Sequence, residues 1–216
     1  MEAPLGLLGG TFDPVHHGHL RPALEMVQGI GLHRVFFIPN YHPPHRPPPI
    51  LPGAVRLHLL NLAIATEPRF EADSRELERG GISYTIDTLL SFRRQYPHRP
   101  LCLLMGFDAF LGLSSWRHWE QFLDLAHIVV ANRPPWRAVE DDLMADFLAR
   151  HRAELPGELH DSSQGRIHLF SVTPLEISST QIRQEIAQGG SSRYLLPEPV
   201  WHHICQERLY EQPCDE

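Results

Sequence analysis

Apolar residues fall along the chain in two alternating patterns. Short runs, "PLGLL", "RVFFIP", "PLCLLM", "HIVVAN" and "IHLFSV", have the length of strands buried on both faces. Between them lie segments of helical period, in which Leu20, Leu24 and Val27, or Leu57, Leu60 and Ile64, recur three or four residues apart. Strand and helix in alternation predict βαβ units, hence an α/β fold with a mostly parallel, doubly wound sheet. At 216 residues, a single domain spanning positions 1–216 can bury most of its apolar surface. No internal repeat or low-complexity tract interrupts the pattern.

Two stretches depart from it. Residues 40–52, "NYHPPHRPPPILP", are too rich in proline for a helix or a central strand, so a loop of polyproline character is predicted there. It is either a stiff connector or a substrate-contacting loop, because a loop after a parallel strand opens at the carboxyl edge of the sheet, where ligands bind in such folds. Residues 134–164 are acidic and partly helical but carry no motif residue, and a solvated insertion is expected.

Composition narrows the partners. The formal charge is -7, and Lys and Arg gather into no block, so the electrostatic footprint of a nucleic-acid binder is absent from the sequence. Cys102, Cys205 and Cys214 are odd in number and show no CxxC spacing, which argues against a disulfide framework or a cysteine zinc site and fits a reducing cytoplasm. No apolar run approaches the roughly 18 residues that span a bilayer, and "MEAPLGLLGG" lacks a cationic leader region. A soluble cytoplasmic protein with no membrane partner is expected; nothing in the sequence marks an oligomeric state.

The candidate chemistry begins where the first strand should turn into the first helix. Gly9 and Gly10 precede "HLRPALEMV", a place where backbone can approach a ligand closely, yet neither the Walker spacing nor GxGxxG is present. His16 and His19 lie three apart at the helix start and share a face, while His17 points elsewhere. Without a glutamate in the HExxH position a zinc hydrolase lacks its base. Two imidazoles beside glycine amides instead suit a phosphate, with metal binding and a structural role as the other readings. Far along the chain, "PLEISSTQIRQEIAQGG" places Ser178, Ser179 and Thr180 at a helix start, with Arg183 one turn later. Hydroxyls, free amides and an arginine on one turn make a second anion site, and two such sites suggest transfer of a phosphoryl-linked group by positioning and charge stabilisation.

These residues carry a specific resemblance. "GGTFDPVHHGH" contains an HxGH signature at His16, His17, Gly18 and His19, and "ISSTQIR" resembles the downstream signature of the nucleotidyltransferase superfamily that includes the adenylyltransferases. "SYTIDTL", "MGFDAFLGLSSWRHW" and "NRP" are similar to segments of the bacterial nicotinate-nucleotide adenylyltransferases, and the likeness runs in order from the first strand to "VWHHICQERLY". Where that family has lysine after the histidine of the proline-rich loop, this chain has Arg46.

The resemblance implies a Rossmann-like domain that transfers AMP from ATP, with Mg²⁺, to nicotinate mononucleotide, giving nicotinate adenine dinucleotide and pyrophosphate. Siblings that use phosphopantetheine or nicotinamide mononucleotide share the two superfamily signatures; a histidine-metal hydrolase and a nucleotide-binding module without turnover are readings from other classes. On the resemblance, His16, His19 and Arg183 are the catalytic residues, and no protein metal site is expected. Gly9, Gly10, Thr11, Phe12, Gly18, Gly106, Asp108, Ile177, Ser178 and Ser179 join Arg183 on the ATP side. Asn40, His45, Arg46, Tyr84, Thr85, Trp116 and Arg117 line the acceptor side. Within that set Asp108 is expected to meet ribose hydroxyls, Trp116 to stack on the pyridine ring, and Thr85 either to meet the nicotinate carboxylate or simply to cap its helix. Trp119 is expected in the core, and Asp13, between Phe12 and Pro14, as a turn residue.

Overall fold

The computed structural model describes residues 2–44, 47–132, 139 and 141–211. Six strands, β1 (Leu5–Gly10), β2 (Arg34–Pro39), β3 (Phe70–Ala72), β4 (Leu101–Gly106), β5 (His127–Asn132) and β6 (Ile167–Ser171), form an all-parallel sheet in the order 3-2-1-4-5-6. All but β3 coincide with the apolar runs of the sequence. The connecting helices are α1 (His17–Met26), α2 (Gly53–Ile64), α3 (Arg75–Arg79), α4 (Thr85–Gln95), α5 (Phe107–Leu111), α6 (Asp142–His151), α7 (Ser179–Ala187) and α8 (Glu198–Gln206).

The strands are apolar on both faces because helices cover both. Ala23 and Met26 of α1, Leu59 and Leu60 of α2, Ile182 of α7 and Val200 of α8 pack with Cys102, Leu104 and Val129. On the opposite face Leu5, Leu7, Leu103, Ile128 and Val130 meet Leu89 and Phe92 of α4, Phe110 and Phe122. Alternate residues of one strand thus serve two cores, which is the doubly wound arrangement that the sequence predicts.

Residues 141–164 correct one expectation. They are not a solvated insertion: Met144 and Leu159 are fully buried, Leu148 nearly so, and the Phe147 ring lies edge-on to Trp119 at 5.0 Å. His160 is bonded through Nε2 to the Ile30 carbonyl oxygen at 2.8 Å. The acidic residues occupy the outer face of α6, and its inner face extends the core.

Cys102 is buried near the start of β4, and burial pushes its thiol up to about 12, whereas Cys205 on α8 is exposed. Because the thiolate is the reactive form, a thiol reagent added to the native protein should label Cys205 and leave Cys102 until unfolding. Peptide mapping of the labelled sites checks this; rapid labelling of Cys102 in the folded state would contradict the buried strand.

Candidate active site

The strand order reverses at β1, whose two neighbours β2 and β4 lead the chain in opposite directions across the sheet. Pairing of β1 with β2 continues to Gly10 and Pro39, and pairing of β4 with β5 continues to Gly106 and Ala131. Pairing between β1 and β4 stops at Leu7 and Leu103, so their carboxyl ends part and open a cleft at the switch point, where ligands bind in open parallel sheets. Gly9 and Gly106 stand on the two lips of this gap, and a Cβ on either would meet nothing within 4 Å.

The two sequence-predicted anion sites come together at this edge. His16 caps α1, and its ring lies 3.8 Å from that of His19 between centroids, tilted by 31°. The His16 backbone N–H donates to His19 Nδ1 at 3.3 Å, which leaves Nε2 of a neutral His19 ring to carry the proton and act as donor. Gly18 is dictated by crowding: a Cβ there would lie 2.9 Å from His16 Nδ1 and 3.2 Å from the Ile177 carbonyl oxygen. Gly10 is dictated by the Phe12 ring, 2.9 Å from where its Cβ would be, and Phe12 itself is buried with a left-handed φ of 49°.

Helix α7 docks directly on the turn that precedes α1. Ser178 is its N-cap, accepting from the Gln181 N–H at 3.1 Å. Ser179 Oγ donates to the Pro14 carbonyl at 2.9 Å and Arg183 Nη1 donates to the Asp13 carbonyl at 2.6 Å. Residues more than 160 positions apart therefore form one wall, and Ile177 closes it beside Gly18.

A further wall is built from the turn after β2, beside β1, and the start of α4. Asn40 Nδ2 donates to Thr11 Oγ1 at 3.4 Å. The Tyr41 N–H donates to Ser83 Oγ at 2.9 Å, and the Ser83 N–H to the His42 carbonyl at 2.9 Å, so the proline-rich loop is stitched to the segment before α4. Tyr84, not Thr85, is the N-cap; Thr85 occupies the first helical position, where its N–H has no intrahelical acceptor. Simple capping by Thr85 is thus not what the structure shows. Arg117 lies 4.7 Å over the Tyr84 ring, and Trp116, half-buried, stands edge-on to Phe122 at 6.3 Å. Trp119 is in the core, and Asp108 projects at the exposed start of α5. His45 and Arg46 lie outside the described residues.

Asp13 corrects a second expectation, since it is far more than a turn residue. It is 2% exposed, and its carboxylate accepts from the Ile50 N–H at 2.7 Å, the Leu51 N–H at 3.4 Å and the Tyr210 hydroxyl at 2.7 Å. Arg56, 1% exposed, was not legible as a site residue at all. Its one sequence signal is electrostatic: an arginine in the first turn of a helix with no acidic residue opposes the helix dipole and so needs a partner elsewhere.

Glu76 is also buried, bonded by Thr88 Oγ1 at 2.5 Å, and desolvation raises its pKa above the ordinary 4.5 despite that hydrogen bond. A carboxyl with a raised folded value contributes stability that is full below about pH 4.5 and is lost as pH rises through the folded value. Melting curves should therefore show wild type losing ground to Glu76→Gln as pH rises from 4.5 towards neutrality; a pH-independent difference would contradict this.

Comparisons with known proteins place the fold and the family. The profile of the cytidylyltransferase-like family matches residues 7–185. A relative from Aeromonas hydrophila named "probable nicotinate-nucleotide adenylyltransferase" is 46% identical over 210 residues, covering 97% of this chain and 98% of its own. One of the same name from Methylococcus capsulatus is 43% identical over 207 residues, covering 95% and 99%. The Plasmodium falciparum nicotinic acid mononucleotide adenylyltransferase, solved in complexes with APC and with NaAD, superposes with a TM-score of 0.70 over 97% of this chain and 98% of its own, at 14% identity, and so shares the fold. The chain belongs to the cytidylyltransferase-like nucleotidyltransferases, and among them to the nicotinate-nucleotide adenylyltransferase family.

Proposed function

We propose that the chain transfers AMP from ATP to nicotinate mononucleotide, releasing pyrophosphate and forming nicotinate adenine dinucleotide, a step of NAD biosynthesis carried out in the cytoplasm. Family membership supports the reaction, and one structural observation carries the mechanism: the α7 start docks on the Asp13–Pro14 turn that leads into "HHGH", which brings imidazoles, hydroxyls and a guanidinium to one edge of the sheet.

An acceptor phosphate oxygen attacks the α-phosphorus of ATP, the bond from that phosphorus to the bridging oxygen breaks, and the electron pair leaves with pyrophosphate. The acceptor phosphate has a second pKa near 6 and is largely dianionic at neutral pH, so the site needs no general base. What it needs is alignment of two anions that repel each other and stabilisation of charge on the leaving group. His16 and His19 would hold the ATP phosphates, with the Gly10 and Phe12 amides and Thr11 closing that pocket. Ser179 and Arg183 would take the β- and γ-phosphates, Arg183 releasing part of its hold on the Asp13 carbonyl. Mg²⁺ would arrive on ATP and be held by phosphate oxygens, since these donors suit phosphate rather than a hard cation. Asp108 would accept from ribose hydroxyls. On the acceptor side, Trp116 would stack on the pyridine ring while the Thr85 N–H and hydroxyl at the start of α4 would bind its carboxylate; Asn40, Tyr84 and Arg117 would complete this side, with His45 and Arg46 proposed for it on sequence alone.

The test is product analysis with purified protein, MgATP and nicotinate mononucleotide. Equal amounts of nicotinate adenine dinucleotide and pyrophosphate are expected. ATP consumption without dinucleotide, or dinucleotide-like product only with phosphopantetheine, would overturn the reading.

A further inference from the structure

Arg56 is the largest fully buried side chain among the described residues, and all three of its nitrogens donate to main-chain carbonyls of different turns. Nη1 reaches the Thr11 oxygen at 2.6 Å, Nη2 the Asn40 oxygen at 2.7 Å, and Nε the Leu51 oxygen at 3.1 Å. Thr11 follows β1 on the nucleotide side of the cleft, Asn40 follows β2 on the acceptor side, and Leu51 ends the proline-rich loop. The Asn40 N–H also donates to the Gly10 carbonyl at 3.0 Å. A guanidinium is a rigid planar fork, so carbonyls bound to it are fixed relative to one another.

The charge of Arg56 is balanced from the same network. Asp13 is the opposing carboxylate, and it spends its oxygens on the Ile50 and Leu51 N–H groups and on Tyr210. Tyr210 comes from the segment after α8, nearly 200 positions away, so the C-terminal part of the chain closes the network. Burial and the neighbouring Asp13 push the Tyr210 hydroxyl well above its ordinary pKa, which keeps it a donor at every working pH.

We infer that Arg56 is a positioning residue that locks the nucleotide-side turn at Thr11 to the acceptor-side turn at Asn40, with Asp13 and Tyr210 as its counter-support, so that filling one substrate site orders the other. This rests on the proposed two-substrate reaction and adds a coupling between its two sites. Arg56 touches no substrate in this scheme. Its effect is on the relative placement of the turns, where a misplacement near 1 Å costs about 100-fold in the oriented reaction. The coupling is reciprocal: if bound ATP tightens the acceptor, bound acceptor tightens ATP by the same factor.

The experiment is a two-substrate initial-rate matrix for wild type, Arg56→Lys and Tyr210→Phe, with melting temperatures and direct ATP-binding titrations beside it. In wild type each substrate should lower the apparent KM of the other. Arg56→Lys keeps the charge but not the fork, and should raise both KM values by about tenfold and abolish the mutual lowering. Tyr210→Phe removes one hydroxyl and should shift the same parameters in the same direction, by about threefold, without loss of fold. If Arg56→Lys proves unstable, Tyr210→Phe alone decides. A folded variant with lowered melting temperature and unchanged KM values and coupling would make the network merely structural and overturn the inference, as would wild-type KM values that ignore the other substrate. Failure of the wild type to make dinucleotide would instead strike the proposed reaction, and the ATP titrations would still report whether Tyr210→Phe loosens the nucleotide-side turn.

Discussion

His19→Ala should lower kcat/KM for adenylyl transfer by about 100- to 1,000-fold, the range found when a preorganised donor to a developing negative charge is removed. The geometry makes the loss specific. With Nδ1 accepting from the His16 N–H, the remaining donor of the ring is Nε2, and alanine deletes it. The ring is only partly buried, so the fold should survive. His16→Ala should slow transfer comparably and also lower the melting temperature, because His16 is 4% exposed and its ring packs against that of His19. Steady-state kinetics and a melt on each variant separate the two effects; near-normal turnover in a folded His19→Ala protein would remove this histidine from the mechanism.

The second large effect concerns the acceptor. Thr85 stands at the first position of α4, where proline is tolerated because the N–H has no intrahelical partner, and Tyr84 before it is already extended at φ -94°, ψ 130°. Thr85→Pro should therefore fold, yet it deletes the amide assigned to the nicotinate carboxylate. A charge-assisted hydrogen bond contributes about 1.5–3 kcal/mol, so efficiency with nicotinate mononucleotide should fall roughly 10- to 150-fold, with little change toward the amide analogue. Thr85→Ala keeps the amide and should lose less. Trp116→Ala should penalise both acceptors alike, by about tenfold, because stacking does not distinguish a carboxylate from an amide. Unchanged kinetics for Trp116→Ala would return that side chain to the packing against Phe122; an equal loss for both acceptors in Thr85→Pro would mean that α4 orders the site without reading the carboxylate.

What could be read from the sequence divides along physical lines. Doubly buried strands are near-continuous apolar runs, so "RVFFIP" and "HIVVAN" announced themselves, whereas the edge strand β3 is three half-buried residues, "FEA", with no run to detect. The helical character of α6 is legible but its burial is not, because Asp142 and Asp146 on its outer face mask the spacing of Met144 and Leu148 on its inner one. The "HHGH" and "ISST" segments are compact, and each motif sits at a helix start, so their chemistry was visible in place. Their meeting was not: nothing local in Arg183 says that it will bind the Asp13 carbonyl. The Asp13, Arg56 and Tyr210 network was hidden for the same reason, since each member is a lone polar residue whose partners come from turns far apart in the chain. Resemblance supplied the site list; only the fold shows how its two halves are joined.

In the proposed reaction the cleft recognises the acid form of the mononucleotide and adenylylates it without a general base. The measurement that tests it most directly is kcat/KM for nicotinate mononucleotide and for nicotinamide mononucleotide, determined side by side with saturating MgATP on the wild-type protein. The α4 start offers donors that a carboxylate satisfies and that an amide NH₂ group in part opposes, and a buried mismatch of that kind discriminates strongly. A preference for the acid of at least about tenfold is expected, one charge-assisted hydrogen bond at the lower end of its range. Equal efficiencies, or a preference for the amide, would contradict it.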